Sequence, residues 1–148
     1  MAETVRIDGL KELGEALKGL RLDMAQKAAR QAVAAGASVV RAQARKNAPV
    51  DTGNLQKAIV MKRKRNTNLT EEYGVSVRVG KKSDVTRAKA GKGALGKDAY
   101  YARFLEFGTV KLPAKPFLTP ALSQNVQKAT EAMKTRLAKR IAVFKARQ

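Results

Sequence analysis

The chain has 148 residues, of which 31 are lysine or arginine and 12 are aspartate or glutamate, so its net charge is +19. It contains no cysteine and no histidine, which excludes disulfides, thiolate metal sites and catalysis by Ser-His or Cys-His pairs. This length favours one domain over residues 1–148, and the hydrophobic fraction of 44% is enough for a core. The excess of positive charge predicts attraction to polyanions or acidic protein surfaces.

The N-terminal residues predict a short strand followed by a short helix. Val5 and Ile7 alternate with polar residues, which indicates a strand, and the leucines at 10, 13, 17 and 20 form one apolar stripe on a helix. The start lacks the apolar run of a signal peptide, and no segment reaches the roughly 20 apolar residues that a membrane helix needs. We therefore expect a soluble protein that is made in a cytoplasm.

A long helix is predicted from Met24 to Lys46. Asp23 and Gln26 stand three residues apart, as in a capping box, and would begin it. Pro49 would end it, because proline pushes the preceding residue out of helical geometry. The expected buried face consists mostly of small side chains, which lets another element lie close against it: Met24, Ala28, Ala32, Ala35 and Val39.

Two stretches after this helix predict a β-hairpin. Tyr73, Val75, Val77 and Val79 alternate with small or polar residues, and Ile59 to Arg65 is the expected partner strand. The partner ends in a basic run, which either forms a solvated edge that resists aggregation or contacts a polyanion: Lys62, Arg63, Lys64 and Arg65.

The segment from Lys81 to Asp98 has no periodicity and predicts a mobile basic loop. A loop of this length in a compact domain is usually functional or disordered. Its cations are further candidates for a polyanion contact: Lys81, Lys82, Arg87, Lys89, Lys92 and Lys97. We expect the loop to become ordered, if at all, on contact with a partner or with DNA.

The C-terminal part predicts an aromatic stretch, a rigid connection and an amphipathic helix. The stretch "AYYARFLEFGT", residues 99 to 109, suits either a short helix or an irregular strand, and three prolines then predict an extended connection. Thr119 is the expected cap and Pro120 the expected first residue of the last helix. The apolar residues of this helix recur every three or four positions, opposite a basic face that we expect to be solvated: Leu122, Val126, Ala129, Met133, Leu137, Ile141 and Phe144.

The triplet Asp51-Thr52-Gly53 also carries the catalytic carboxylate in aspartic proteases. Such an enzyme needs two carboxylates that share a proton, in an apolar setting between strands. Here a long helix and Pro49 precede the triplet and polar Asn54 follows it. We therefore interpret Asp51 or Thr52 as a cap for the short segment that follows a sharp bend.

The glycine-rich part of the basic segment matches two nucleotide-binding patterns. Gly91 to Lys97 fits G-x-x-x-x-G-K and Gly91 to Gly96 fits G-x-G-x-x-G. However, Asp98 stands where a phosphate loop needs serine or threonine, and no apolar strand leads into either pattern. Pro113 to Pro116 fits P-x-x-P, which we interpret as a rigid connection. We expect no catalytic residue, no cofactor and no metal ligand.

Two stretches contain the most specific motifs of the chain. They are "NAPVDTGNLQKAI", residues 47 to 59, and "YYARFLEFGTVKLPAKPFLTPAL", residues 100 to 122. In this order they resemble a family of small tailed-phage proteins, minor tail or tail-completion components, whose members read A-P-x-D-T-G-x-L-x-x-S-I, then Y-A-x-x-x-E-x-G-T, then P-A-x-P-F-x-x-P-A. With the helices on either side, the resemblance covers nearly the whole chain. Ala58 stands where the family often has serine, and the segment from Lys81 to Asp98 is longer and more charged.

The resemblance implies an α+β fold, with a long helix packed on a small, mainly antiparallel sheet and an amphipathic C-terminal helix. It implies a structural virion protein at the neck of a long-tailed bacteriophage, where the head joins the tail, and no catalysis. Neck proteins assemble as rings, so the expected partners are other neck and tail proteins and copies of the chain itself, with assembly in the host cytoplasm and no membrane contact. In this setting five residues shape turns: Pro49, Asp51, Thr52, Gly53 and Gly108.

The aromatic residues are the expected subunit interface of such a ring. Interfaces favour aromatic anchors, and most aromatic residues of the chain lie in one region: Tyr100, Tyr101, Phe104, Phe107 and Phe117. They could equally complete a core that is poor in large residues. The alternative function is non-specific DNA binding driven by charge, which would explain the net charge but lacks a recognisable nucleic-acid module. Transient contact with genomic DNA is compatible with both functions.

Overall fold

In the described residues, a long helix and a short helix precede a two-stranded sheet, and three helices follow the sheet. The computed structural model describes residues 14, 15, 18, 22–50, 53–64, 70–78 and 101–147. The elements are α1 (Leu22–Asn47), α2 (Asn54–Ala58), β1 (Ile59–Arg63), β2 (Tyr73–Val77), α3 (Ala102–Phe107), α4 (Leu118–Ser123) and α5 (Val126–Lys145). The predicted α+β class is confirmed.

Helix α1 confirms the predicted long helix. Its predicted bounds were Met24 and Lys46, and the helix spans Leu22–Asn47. Asp23 lies in its first turn and Arg45 in its last, where each complements the helix dipole. None of the described helices combines the length and the apolar character needed to cross a lipid bilayer.

Strands β1 and β2 form the predicted hairpin. The Lys64 N–H donates to the Glu72 carbonyl at 2.9 Å and the Arg78 N–H donates to the Ala58 carbonyl at 2.8 Å, which fixes an antiparallel register at both ends. The strand positions predicted at 65 and 79, and the N-terminal strand predicted around residues 5 to 7, lie outside the described residues.

The predicted single C-terminal helix is divided into two helices. α4 ends at Ser123, and a turn at Gln124 and Asn125 separates it from α5. Serine and asparagine side chains compete for backbone hydrogen bonds, which disfavours them in a helix interior. The start of α4 also differs from the prediction, because Phe117 holds the N-cap position and Thr119 lies within the first turn.

The described structure divides into two compact units. The first unit comprises the described residues of Met1–Val39, Arg63–Gly74 and Asn125–Gln148, and the second comprises those of Val40–Lys62 and Val75–Gln124. Both α1 and the hairpin therefore contribute residues to each unit.

The core of the first unit pairs small side chains of α1 with larger side chains of α5. Two buried alanines and two buried aliphatic residues form one cluster, against which three partly buried residues pack: Ala28, Ala32, Leu137 and Ile141, with Ala25, Met133 and Phe144. Gly36 extends the close contact. A Cβ atom at this position would lie 2.4 Å from Met133 Cε and 3.2 Å from the Ala129 carbonyl oxygen.

The second unit contains the largest completely buried side chains of the described chain, Leu55, Ile59 and Phe117. The bend after α1 is held there by two hydrogen bonds from side chains to backbone. Arg45 Nη2 donates to the Ile59 carbonyl at 2.9 Å, and Gln56 Nε2 donates to the Arg45 carbonyl at 3.0 Å. The end of α1 is thereby tied to α2 and to the start of β1.

Pro49 and Gly53 are the described members of the set predicted to shape the bend between α1 and α2. Pro49 is exposed directly after the helix, and Gly53 holds the N-cap position of α2 with φ 72 and no side-chain cap. This positive φ favours glycine. Asp51 and Thr52 lie outside the described residues, so their role in the bend stays a prediction.

We expect Gly36→Val to destabilise the protein by roughly 1 to 3 kcal/mol, because the branched side chain must displace Met133 from a packed contact. Gly36→Ala should cost less, since a single methyl group displaces less of Met133 than a branched side chain and alanine favours a helix over glycine by about 1 kcal/mol. Chemical denaturation measures both changes. Ala42→Val, at an exposed position of the same helix, controls for the cost of a β-branched residue, and an equal loss in both valine variants would contradict the close contact.

Candidate assembly surface

Gly108 shapes the end of α3 and the turn that follows it. Its φ is 74, and its N–H donates to the Phe104 carbonyl at 2.9 Å. A Cβ atom here would lie 2.9 Å from the backbone nitrogen of Ala114, which cannot move aside as a side chain could. Thr109 and Leu112 then pair across a tight turn, with N–H to carbonyl distances of 2.9 and 3.2 Å. The turn therefore requires glycine at position 108.

The side chain of Glu106 ties α3 to the beginning of α4. Its Oε2 accepts hydrogen bonds from the N–H of Phe117 at 2.8 Å and of Leu118 at 3.1 Å. Its Oε1 accepts from the N–H of Thr119 at 2.9 Å and from the Thr119 hydroxyl at 2.7 Å. The first N–H groups of a helix have no acceptor within the helix, so a carboxylate is well suited to this place. We call these four hydrogen bonds the Glu106 latch.

The latch holds Glu106 in its charged form. Burial alone would raise the pKa of this carboxyl group, which is 8% exposed. The hydrogen bonds from Phe117, Leu118 and Thr119 outweigh that effect and lower the pKa below its ordinary value of 4.5. At neutral pH the group is therefore a buried anion whose partners are all hydrogen-bond donors.

Four large apolar residues on α3 and on the following turn are exposed. The exposed fraction is 49% for Phe104, 76% for Phe107, 106% for Val110 and 59% for Leu112. Single exposed apolar residues are common on proteins, but several within one short segment mark an interaction site. We call these four residues the apolar surface.

Only some of the aromatic residues predicted to form an interface lie on this surface. Phe104 and Phe107 belong to it, and Tyr101 is half-buried at the start of α3. Phe117 is instead completely buried, and its backbone N–H donates to Glu106. We therefore assign Phe117 to the core. Tyr100 lies outside the described residues.

Two of the four cations in the predicted basic run are paired within the hairpin. Arg63 donates from Nε and Nη2 to the Glu71 carboxylate at 2.7 and 2.6 Å, and Lys64 forms an ion pair with Glu72. Arg30 Nε lies 3.6 Å from the same Glu71 carboxylate. The hydrogen bond from Arg63 lowers the pKa of Glu71 despite burial, and the charge of Arg30 acts in the same direction.

These ion pairs change the interpretation of the basic residues. Arg63 and Lys64 are engaged with carboxylates, which leaves them less available for a polyanion, whereas Lys62 has no ion-pair partner among the described residues. The remaining candidates, and the glycine-rich patterns between 91 and 98, lie outside the described residues: Arg65, Lys81, Lys82, Arg87, Lys89, Lys92 and Lys97.

The roles of Glu106, Val110 and Leu112 were not predicted from the sequence. A signal for Glu106 was present, because Glu106 and Glu131 are the only acidic residues after position 100 and Glu106 lies among apolar residues. A lone carboxylate in such a setting indicates a buried hydrogen-bond acceptor. Val110 and Leu112 carry no comparable signal, since their exposure depends on the turn at Gly108.

We expect Glu106→Gln to lower the free energy of unfolding by roughly 2 to 4 kcal/mol, because the amide nitrogen would face backbone donors and leave a buried N–H without an acceptor. Urea denaturation measures the loss. Glu131→Gln removes the same charge at an exposed position of α5 and serves as the control. Similar stability of the two variants would show that the latch has little energetic weight.

The stabilisation by the latch should depend on pH. Because the folded pKa of Glu106 lies below 4.5, its contribution is fully present above that pH and is lost as the pH falls through the folded pKa. The quantity to measure is the difference in unfolding free energy between wild type and Glu106→Gln, which should shrink on acidification. Taking the difference removes the effect of Glu71, whose pKa is also lowered. A difference that stays constant down to about pH 3 would contradict this account.

The comparison with family models connects these features to a known group of proteins. Residues 11–108 match the HK97-gp10_like model, described as "Bacteriophage HK97-gp10, putative tail-component". The match covers about two thirds of the chain and ends at Gly108, so the segment from 109 to 122 lies beyond it. The comparisons with curated proteins and with solved structures found no match. The resemblance to tail proteins of tailed phages is thus confirmed, and the chain belongs to the HK97-gp10-like family of bacteriophage tail components.

Proposed function

We propose that this protein is a structural subunit of a ring at the neck of a long-tailed bacteriophage, where it completes the tail or joins the head to the tail. Its membership of a family of tail components supports a place in the virion, with assembly in the host cytoplasm. The observation that carries the proposal is the apolar surface, because a chain that acted alone would gain nothing by exposing Phe104, Phe107, Val110 and Leu112 together. In this role the protein binds its neighbours and performs no catalysis.

The apolar surface is fixed before any partner arrives. Gly108 sets the turn that carries Val110 and Leu112, and the Glu106 latch joins α3 to α4. A surface that is already ordered loses little conformational entropy on binding, so more of the gain from burial goes into affinity. This property suits a subunit that is incorporated once and stays in place.

Basic residues alternate with the apolar surface along the chain. Arg103, Lys111 and Lys115 are exposed within the same segment. Protein interfaces combine an apolar centre with a polar rim, and complementary charges determine which partner fits. The neighbour in the ring, or the adjoining neck or tail protein, should therefore present an apolar patch with acidic residues around it. In a ring, each copy uses a different surface toward each of its two neighbours.

DNA binding driven by charge alone is the alternative function. It accounts for the net charge of +19 but not for the exposed aromatic rings. Electron microscopy of particles assembled without this protein separates the two functions. Unjoined heads and tails would support the neck assignment, and normally joined particles would contradict it.

We expect the double variant Phe104→Ser/Phe107→Ser to remain folded, because both side chains are exposed, but to be excluded from particles. Truncation of a central anchor typically costs about 2 kcal/mol or more of binding free energy. The measurement is the amount of protein in purified particles after complementation with the variant, beside a melting curve. Val143→Ser, at a 41% exposed position of α5, is the matched control and should be incorporated normally.

Phe117→Ala should give the opposite pattern. Its ring is completely buried, so the variant should lose roughly 3 to 5 kcal/mol of stability. Normal incorporation of the Phe104/Phe107 double variant, or a stability loss as large as that of Phe117→Ala, would defeat the interface assignment.

A further inference from the structure

The described part of the second unit carries exposed charge of one sign only. It consists of residues 40–50, 53–62, 75–78 and 101–124. Glu106 is the one acidic residue among them, and its carboxylate is buried and saturated with hydrogen bonds. The cations in the same residues are Arg41, Arg45, Lys46, Lys57, Lys62, Arg78, Arg103, Lys111 and Lys115. Within this part of the chain, no exposed carboxylate offsets their field.

Three of these cations, together with Gln56, line one open groove between the end of α1 and α2. The groove has a volume of about 460 Å³ and is lined by Arg45, Lys46, Gln56 and Lys57. We call it the basic groove. Lys46 and Lys57 are exposed, and none of the ion pairs among the described residues involves its three cations. They differ in this from Arg63 and Lys64, whose charges are paired.

Arg45 is held in position at the base of this groove. Its Nη2 donates to the Ile59 carbonyl at 2.9 Å, and its own carbonyl accepts from Gln56 Nε2 at 3.0 Å. Its Nε is buried and has no hydrogen-bond partner in the described structure. A planar guanidinium that is fixed in this way suits an oxyanion ligand.

We infer that the basic groove binds the phosphate backbone of duplex DNA without reading its sequence. Among the described residues no carboxylate forms an ion pair with these three cations, which favours an anionic ligand, and the groove is open to solvent. The lining has no aromatic ring on which a base could stack, so the contacts are to phosphates. The inference concerns the isolated chain and does not depend on the ring.

An acidic protein surface would satisfy the same charges but fits this groove less well. Protein interfaces are centred on aromatic or large aliphatic residues, and neither kind is among the residues that line the groove. The residues suited to a protein partner lie elsewhere in the sequence, from Phe104 to Leu112. A polyanion whose charges repeat along a backbone is therefore the ligand that the groove favours.

The test measures the salt dependence of binding to a short fluorescent DNA duplex by anisotropy. Each phosphate contact contributes about 0.9 to the slope of log K against log salt, so removing two contacts should lower the slope by about 2. We expect Lys46→Gln/Lys57→Gln to do so, which reduces the loss of affinity between about 50 and 200 mM salt by about tenfold. Lys128→Gln/Lys139→Gln removes the same charge from exposed sites of α5 and should change the slope little.

Three results would overturn the inference, provided that circular dichroism shows all variants to be folded. The first is no binding of duplex by the wild-type chain. The second is an equal change of slope in the two double variants, which would mean that charge acts without a defined site. The third is that poly-glutamate binds as tightly as the duplex and depends equally on Lys46 and Lys57, which would assign the groove to an acidic protein. A selective loss of duplex binding in the groove variant supports it.

Discussion

The four hydrogen bonds that Glu106 accepts join α3 to the start of α4, and both helices are too short to be stable on their own. Burying a carboxylate is costly, but hydrogen bonds to a charged acceptor are roughly twice as strong as those between neutral groups. Here each carboxylate oxygen of Glu106 accepts two hydrogen bonds. One of the donors is the backbone of Phe117, so the same interaction that orders α4 also fixes the residue whose ring is buried. The exposed residues of α3 are consequently presented from a segment that is ordered by charge as well as by packing.

The extent to which the sequence predicted this arrangement follows from the range of each interaction. Helix α1 has a long apolar periodicity, strand β2 alternates along its five residues, and Gly108 follows a short apolar stretch, so these features were predictable from local patterns. The Glu106 latch joins residues 11 to 13 positions apart, and neither partner reveals the other in a single sequence. For the same reason Phe117 was grouped with its exposed neighbours. Aromatic residues occur both in cores and in interfaces, and only the folded structure shows which of them are buried. The break between α4 and α5 was missed because the apolar spacing continues through it.

Charge has two distinct roles in the described structure, and the sequence does not separate them. In the hairpin, Arg63 and Lys64 pair with Glu71 and Glu72, so two of the four cations in the most conspicuous basic run of the chain are neutralised locally. At the end of α1, by contrast, Arg45, Lys46 and Lys57 come together from two helices and have no ion-pair partner within the described residues. A dense run of cations is therefore a poorer indicator of a binding site than a few that the fold leaves unpaired.

The alanine-rich face of α1 also has a consequence for how the sequence can vary. At Ala28, Ala32 and Gly36 there is almost no side chain to remove, so shortening substitutions leave small cavities at most, while any enlargement pushes against α5. On α5 the balance is reversed, because Leu137, Ile141 and Met133 supply the volume and can be exchanged for other large apolar residues of similar size. Related sequences should accordingly keep small residues on one helix and drift among large ones on the other, so that the spacing between the two backbones is inherited even where the identities of the core residues are not.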